Sequence, residues 1–444
     1  MAVTLHPEVR TVLDQLELAD PDAASDATSA LEWVVGGDDL GVLTQFGLQQ
    51  FLWYELPFKW ILVPMVRVDV ARALGRFLDL AGFPRYAAIC HSEVTAHVLA
   101  TWADDVSEGY RMFREAMAGS GVEPPELPEL RWGSSMGRVE YDAFWSTAAA
   151  LELGQATGDL PRSGRRAADV RAELARTHLT TPRPNLAGGS LLAAVHEERI
   201  DAWAALEKGG ARAVLLAPVT ELLAVSVQND PCLTDSLAPL RTLLEAAAGD
   251  QGMDLTARGY LPRLLVVELA ERFGWLLPGH ERPRGEIDVP PVAALHELAR
   301  DRRLVRRRGR VLQLSRRGRA MLDEPGELSL EVASWISGEG FAAGAAELFL
   351  ASMLADPHRS DDERCVEVAV GLTEEGWTVR GSPPGSPIPV DLVRDQLHRI
   401  ARDADLFGWV VRNHRLRRTD LSPEGRLGAL VALRSAAVAP RQAS

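Results

Sequence analysis

The sequence predicts a mainly α fold: helical N-terminal and middle regions, then two units in which helices are combined with a β-hairpin. Three features predict it. Apolar residues recur at three- and four-residue spacings along much of the first 250 positions. Two pairs of short apolar-alternating runs lie near the C-terminus. One local pattern is written twice, as HELARDRRLVRRRGRVLQLSRRGRAML from His296 and as HRIARDADLFGWVVRNHRLRRTDLSPEGRLGAL from His398.

Composition sets the frame. A chain of 444 residues is too long for one ordinary core, since domains usually run to about 100–200 residues. With 46% hydrophobic and 25% charged residues it has the make-up of a globular protein, which excludes disorder as its global state. The start, MAVTLHPEVRTVLDQLELAD, lacks the cationic and apolar stretches of a signal peptide, and no uncharged apolar run reaches the roughly 18 residues of a membrane span. A cytoplasmic location without membrane contact is expected. Cys90, Cys232 and Cys365 are far apart and odd in number, so neither a disulfide framework nor a CxxC motif is present, and the thiols are expected to be buried and inert.

A net charge of −14 argues against coating nucleic acid nonspecifically, because a polyanion repels a negative chain. The charge is unevenly placed. Residues 300 to 319 carry ten arginines and one aspartate, a net of +9, which leaves −23 on the rest. Arginine supplies 46 of the 48 basic residues, Lys59 and Lys208 being the two lysines. That bias, with abundant alanine, suits a GC-rich genome and makes arginine runs less surprising.

The first region, residues 1–130, reads as helical. In VRVDVARALGRFLDLAGFPRYAAI, Val70, Leu74, Phe77, Leu78 and Ala81 define one buried face, and Gly82 and Pro84 stop the helix. The aromatic FLWYELPFKWILVPM, interrupted by Pro57, reads as core in preference to a partner or membrane surface. GVEPPELPEL, residues 121–130, is a linker candidate. Region 131–250 is again helical, with EYDAFWSTAAALELG, GSLLAAVHEERIDAWAAL and LTDSLAPLRTLLEAA as its strongest segments.

Between 251 and 326 the texture changes: the helix LPRLLVVELAERFG, a loop, a second helix opened by Pro290 and Pro291, and the runs LVRRR and RVLQL meeting at Gly309 as a hairpin. Residues 327–385 form a helical connector that ends in the linker RGSPPGSPIP, and the helix, hairpin and helix order recurs in 386–444.

The repeat aligns His296 with His398, Ala299-Arg300-Asp301 with Ala401-Arg402-Asp403, and Leu314-Ser315-x-x-Gly318-Arg319 with Leu421-Ser422-x-x-Gly425-Arg426. Each closing helix is entered through a serine able to accept from the free amides of the first turn. This arrangement resembles a winged helix twice over. DLTARGYLPRLLVVELAERFG with PPVAALHELARDRRLVRRRGRVLQLSRRGRAML is also similar to the region that accompanies the Ri-plasmid open-reading-frame-three-like family in actinobacteria. That resemblance spans the C-terminal 190 residues and implies tandem winged helices without implying an activity. The Trp-Arg-Arg module of that family is missing, since no WRR occurs in the chain.

The arginine-rich hairpin is the strongest candidate site. Arg306, Arg307, Arg308 and Arg310 flank its turn, with Arg300, Arg303, Arg316 and Arg317 beside it, and guanidinium groups there suit phosphates or a minor groove. The preceding helix is a poorer reader: burial of Val292, Leu295 and Ala299 turns Ala293, Glu297, Arg300 and Asp301 outward. In the second copy, burial of Val390, Val393, Leu397 and Ala401 turns Asp391, Asp395, Arg399 and Arg402 outward. The expected function is that of a DNA-binding regulatory protein using this arginine-rich wing; the alternative is a helical scaffold whose winged helices dock a protein partner or form a homodimer. The second copy, with eight arginines against six acids between 386 and 426, is expected to pack on the connector or on a second subunit.

Other chemistry is weaker. Cys90, Glu93 and His97 fall near one face of CHSEVTAH without an HExxH order, so no metal is expected. SGEGFAAG reads as a helix-to-helix turn rather than a dinucleotide fingerprint, because no strand precedes it. No phosphate loop or GxSxG elbow occurs, so no cofactor and no catalytic residue is expected, and the reading is of a protein that is not an enzyme. His296 and His398 are expected to be hydrogen-bonded structural residues.

Overall fold

The structure is a computed structural model that describes residues 6–36, 40–161, 166–204, 209–249, 251–276, 283–383, 385–413, 415 and 417–442. It is mainly helical, and among the described residues the only sheets are two small antiparallel ones. The chain divides into two compact units, 1–195 with 440–444, and 196–439.

In the first unit four helices start on proline: Pro7–Ala19, Pro21–Val34, Pro64–Leu80 and Pro84–Cys90 each open on a residue whose missing N–H is no loss at N1. Helix Pro64–Leu80 buries Val70, Leu74, Phe77 and Leu78 as its spacing predicts, and Gly82, at φ +82°, ends it. The aromatic stretch that precedes this helix divides in two. Phe51, Leu52, Trp53 and Leu56 are core, whereas Phe58, Ile61, Val63 and Met65 are exposed. The expectation of a wholly buried segment is therefore corrected. A π-helical turn, Phe51–Glu55, and a short helix, Leu56–Lys59, carry the first half inward; the chain then runs extended to Pro64 and leaves the core.

Of the three thiols, Cys90 and Cys365 are buried, and burial pushes them up to about 12 and about 11, so both are held as inert thiols. Cys232 is exposed, contrary to expectation: it sits in the first turn of helix Pro231–Ser236, whose buried position is Leu233. No group of His, Cys, Asp or Glu able to hold a metal ion occurs among the described residues.

The second unit contains the repeat. Its first copy runs α1 (Ala238–Ala246), β1 (Met253–Asp254), α2 (Arg263–Arg272), α3 (Pro290–Asp301), β2 (Val305–Arg308), β3 (Val311–Leu314) and α4 (Arg316–Asp323). β1 is a strand that local sequence patterning does not foresee. It turns the hairpin into a three-stranded antiparallel sheet ordered β1-β3-β2, with Met253 opposite Leu312 and Val305 opposite Leu314. The connector is α5 (Pro325–Ser337) and α6 (Phe341–Ala355), with Gly338 and Gly340 at positive φ in the turn that SGEGFAAG forms. The second copy is α7 (Asp361–Glu374), α8 (Val390–Asp405), β4 (Val410–Asn413), β5 (Arg418–Leu421) and α9 (Pro423–Ala437). Of the Asn413–His414 turn, His414 lies outside the described residues.

The two copies share one local device. Ser315 Oγ accepts from the Gly318 amide at 2.9 Å, and Ser422 Oγ from the Gly425 amide at 3.0 Å. A Cβ on Gly318 would meet the Leu304 carbonyl oxygen at 2.1 Å, and one on Gly425 the Trp409 carbonyl oxygen at 1.8 Å. The LSxxG repeat thus has a steric cause: serine caps the closing helix, and glycine lets that helix start against the entry of the hairpin.

That device also fixes the register of the repeat. Leu304 N donates to Ala299 O at 2.9 Å, and Trp409 N to Ala404 O at 3.1 Å. Leu304 therefore matches Trp409, Arg303 matches Gly408 and Ala299 matches Ala404. The alignment of Ala299-Arg300-Asp301 with Ala401-Arg402-Asp403, and of His296 with His398, is corrected by three residues. A three-residue slip moves a helical pattern by nearly one turn, so it preserves the apolar face and sequence similarity alone does not detect it. His296 is buried, its Nδ1 2.9 Å from Glu286 Oε1, while His398 is exposed.

Candidate nucleic-acid interface

β2 is an edge strand, and its alternation separates the arginines of the hairpin. Residues opposite one another across a ladder share a face. Val305, paired with Leu314, and Arg307, paired with Leu312, lie on the core-facing side; Arg306, paired with Gln313, and Arg308, paired with Val311, lie on the other. The inner face holds the hairpin to the domain through Val305 and Leu312, both buried, and Leu314, partly buried, with Leu304 buried just ahead of β2. Arg310 follows Gly309, whose φ of +64° makes the turn.

All eight arginines named from the sequence, Arg300, Arg303, Arg306, Arg307, Arg308, Arg310, Arg316 and Arg317, are exposed. They are not equivalent. Arg317 is ion-paired with Glu331 of α5, a carboxylate that also has Arg302 at 3.6 Å and is only 8% exposed. Arg307 folds back, its Nε donating to Gly309 O at 2.8 Å and its guanidinium lying over Gly259. Arg319, of the same basic run, donates to Ala248 O at 3.3 Å. The side chains of Arg300, Arg303, Arg306, Arg308, Arg310 and Arg316 make no ion pair or hydrogen bond among the described residues. Asp254 is the acid nearest in register, at the end of the row Arg308, Val311, Asp254, with one strand between it and Arg308.

Arg303 carries a further signal, one that spacing and composition do not reveal. Its φ is +56°, the left-handed region that a side chain enters at a cost of about 1–2 kcal/mol, and Gly408 fills the matching position of the second copy at φ +66°. Ser315 Oγ donates to the Arg303 carbonyl at 2.7 Å and holds this backbone in place.

The helix ahead of the hairpin has the expected faces: Val292, Leu295 and Ala299 are buried, and Glu297, Arg300 and Asp301 are exposed. The second copy has a different surface. Arg418 pairs with Asp420 of its own strand at 2.8 Å, and Thr419 N and Oγ1 donate to Asp361 of α7 at 3.0 and 2.9 Å. Arg364, fully buried, donates to the Thr419 carbonyl at 2.8 Å. Arg399 does not face outward as expected: it donates to the carbonyls of Ile336 and Ser337 at 3.0 and 3.2 Å, because α8 lies against the end of α5. The second hairpin is thus tied to α7 of its own copy, and α8 to the end of α5 in the connector, while the first hairpin keeps its outer face open.

Against known proteins, the family model of the Y4jL N-terminal domain matches residues 236–327. The match begins just ahead of α1 and ends at the start of α5, so it takes in the first copy together with the helix that precedes β1. No curated protein and no solved structure matches the chain.

Proposed function

We propose that the protein is a non-enzymatic, cytoplasmic DNA-binding regulator whose contact surface is the outer face of the first hairpin. The order α1, β1, α2, α3, β2, β3 is that of a winged helix, with β2 and β3 as its wing and α3 in the place of the recognition helix. The likeness to the region accompanying the Ri-plasmid open-reading-frame-three-like family fits this reading, as does the tandem repeat. No helix among the described residues is long and apolar enough to cross a membrane.

The observation that carries the proposal is the set of six exposed guanidiniums, at Arg300, Arg303, Arg306, Arg308, Arg310 and Arg316, that make no ion pair among the described residues. Other arginines of the two copies have partners, a carboxylate for Arg302, Arg317 and Arg418 and a backbone carbonyl for Arg307 and Arg319. Unpaired guanidiniums around a protruding turn are suited to phosphate oxygens, and their charge is useful only against an anionic partner. Arginine at the left-handed position 303, where the sister copy has glycine, points the same way: strain retained at an exposed residue is a mark of a working surface. Selection of a genomic DNA library by the purified protein tests the proposal, and recovery of no enriched sequence class, with no binding to bulk DNA at low salt, would refute it.

A protein-docking role for the same module is favoured by one observation, the exposed carboxylates Glu297 and Asp301 on α3. In that reading the arginines meet an acidic protein surface. Competition separates the two, because duplex DNA displaces a protein partner only if both use the wing.

A further inference from the structure

The second copy contains a cavity of about 270 Å³ between α6, α7, α8 and β5. That is close to the lower end, about 300 Å³, of the range for small-molecule sites. One wall is apolar, from Phe349, Leu397 and Ala401; the rest is ionic or polar.

Most of the ionic groups are already satisfied. Asp361 accepts from Thr419 N and Thr419 Oγ1 at 3.0 and 2.9 Å and from Arg364 at 3.3 Å. Asp362 is held by Arg394 at 3.2 Å, and Arg394 also pairs with Asp391. Cys365 is buried and, with its thiol pushed up to about 11, neutral. Two lining groups differ from these. The side chains of Arg417 and His398 line the cavity at its exposed margin and make no hydrogen bond or ion pair among the described residues. Arg417 is also held at φ +48°, with its carbonyl fixed by the Asp361 amide at 3.2 Å. A strained residue tied by its backbone presents its side chain from one place.

The free groups of the cavity are therefore donors, and its free wall is apolar. We propose that the cavity binds a small carboxylate with an apolar body, the carboxylate held by Arg417 and His398 and the body lying against Phe349, Leu397 and Ala401. A guanidinium offers a carboxylate two parallel donors, and an imidazole supplies a third. A neutral amide of the same shape offers one acceptor oxygen and no charge, so it cannot pair bidentately with the guanidinium. The site lies in the second copy, away from the wing, so its occupancy and DNA binding by the first copy are separate questions.

The test uses benzoate, phenylacetate and, as the neutral counterpart, benzamide, titrated calorimetrically into the full-length protein. We expect at least one carboxylate to bind with a dissociation constant of about 1 mM or tighter and benzamide to bind at least about tenfold more weakly. The double variant Arg417→Gln, His398→Gln, shown to retain the parent melting temperature, should weaken the carboxylate by a similar factor. Failure of both carboxylates to bind, equal binding of benzamide, or undiminished binding to the folded double variant would each overturn the proposal. Should the variant fail to fold, the comparison of carboxylate with amide on the parent protein decides alone.

Discussion

Arg317 of α4 is ion-paired with Glu331 of α5, and Glu331 is almost fully buried. The pair takes one guanidinium out of the basic run and uses it to join the first copy to the connector. Replacing Arg317 with alanine leaves that carboxylate with Arg302 alone, at 3.6 Å. A loss of about 1 kcal/mol in urea-unfolding free energy is expected, discounted because the arginine is half exposed. The same change should lower DNA affinity less than Arg306→Ala does; an equal or larger loss would place Arg317 on the contact surface.

Gly318 and Gly425 should be as intolerant of alanine as core positions. The carbonyls of Leu304 and Trp409 stand where the new methyl would go, at 2.1 and 1.8 Å, and both belong to backbone that is held by hydrogen bonds. Each substitution is expected to cost about 1–3 kcal/mol, as overpacking does elsewhere. Circular dichroism melts of the two variants check this, and a shift near zero in either would mean that the closing helix is free to move away from its hairpin.

At Arg303 stability and function should part. Glycine there removes the penalty of a side chain at φ +56° and is expected to raise stability by up to about 1 kcal/mol. It also removes one exposed guanidinium, so DNA binding should weaken. A variant that is both less stable and unchanged in binding would show that Arg303 is there for packing.

His178, in the first unit, ties stability to pH. Burial, and then the Arg183 guanidinium beside it, hold its pKa below the ordinary value of 6.5. The folded state thus binds the proton less readily than the unfolded chain. Its contribution is complete above the ordinary histidine value and is lost as pH falls through and below it. Urea midpoints at about pH 7.5 and 5.5 should differ more for the parent than for His178→Gln; equal differences would contradict the assignment.

How far the sequence carries the fold can be seen at particular residues. Period and turn chemistry suffice for Val70, Leu74, Phe77 and Leu78, for the hairpin around Gly309 and for the buried face of α3, because each depends on neighbours a few positions away. β1 is not legible: two residues, Met253 and Asp254, become a strand only because β3 offers an edge to pair with. The helix register of the repeat is misread by three residues because helical periodicity tolerates that slip. Arg399 is misplaced for a related reason, since the chain end of α5 that takes it up is distant in sequence. For the candidate site, residue type and density point to one segment, but the sequence does not say which arginines are spoken for. That depends on Glu331, Gly309 and Gly259, and on the position of Arg303 in the left-handed region.

The central claim, that the outer face of the first wing contacts nucleic acid, is tested most directly by the salt dependence of duplex DNA binding for the parent and for the triple variant Arg306→Ala, Arg308→Ala, Arg310→Ala. These side chains have no polar partner among the described residues, so the variant should unfold within about 0.5 kcal/mol of the parent. Its affinity at one ionic strength should fall, and the slope of log affinity against log salt should flatten by about 0.9 for each phosphate that is no longer neutralised, up to about 2.7 for all three. An unchanged affinity and slope in a folded triple variant would contradict the claim and leave the wing as a protein-docking surface.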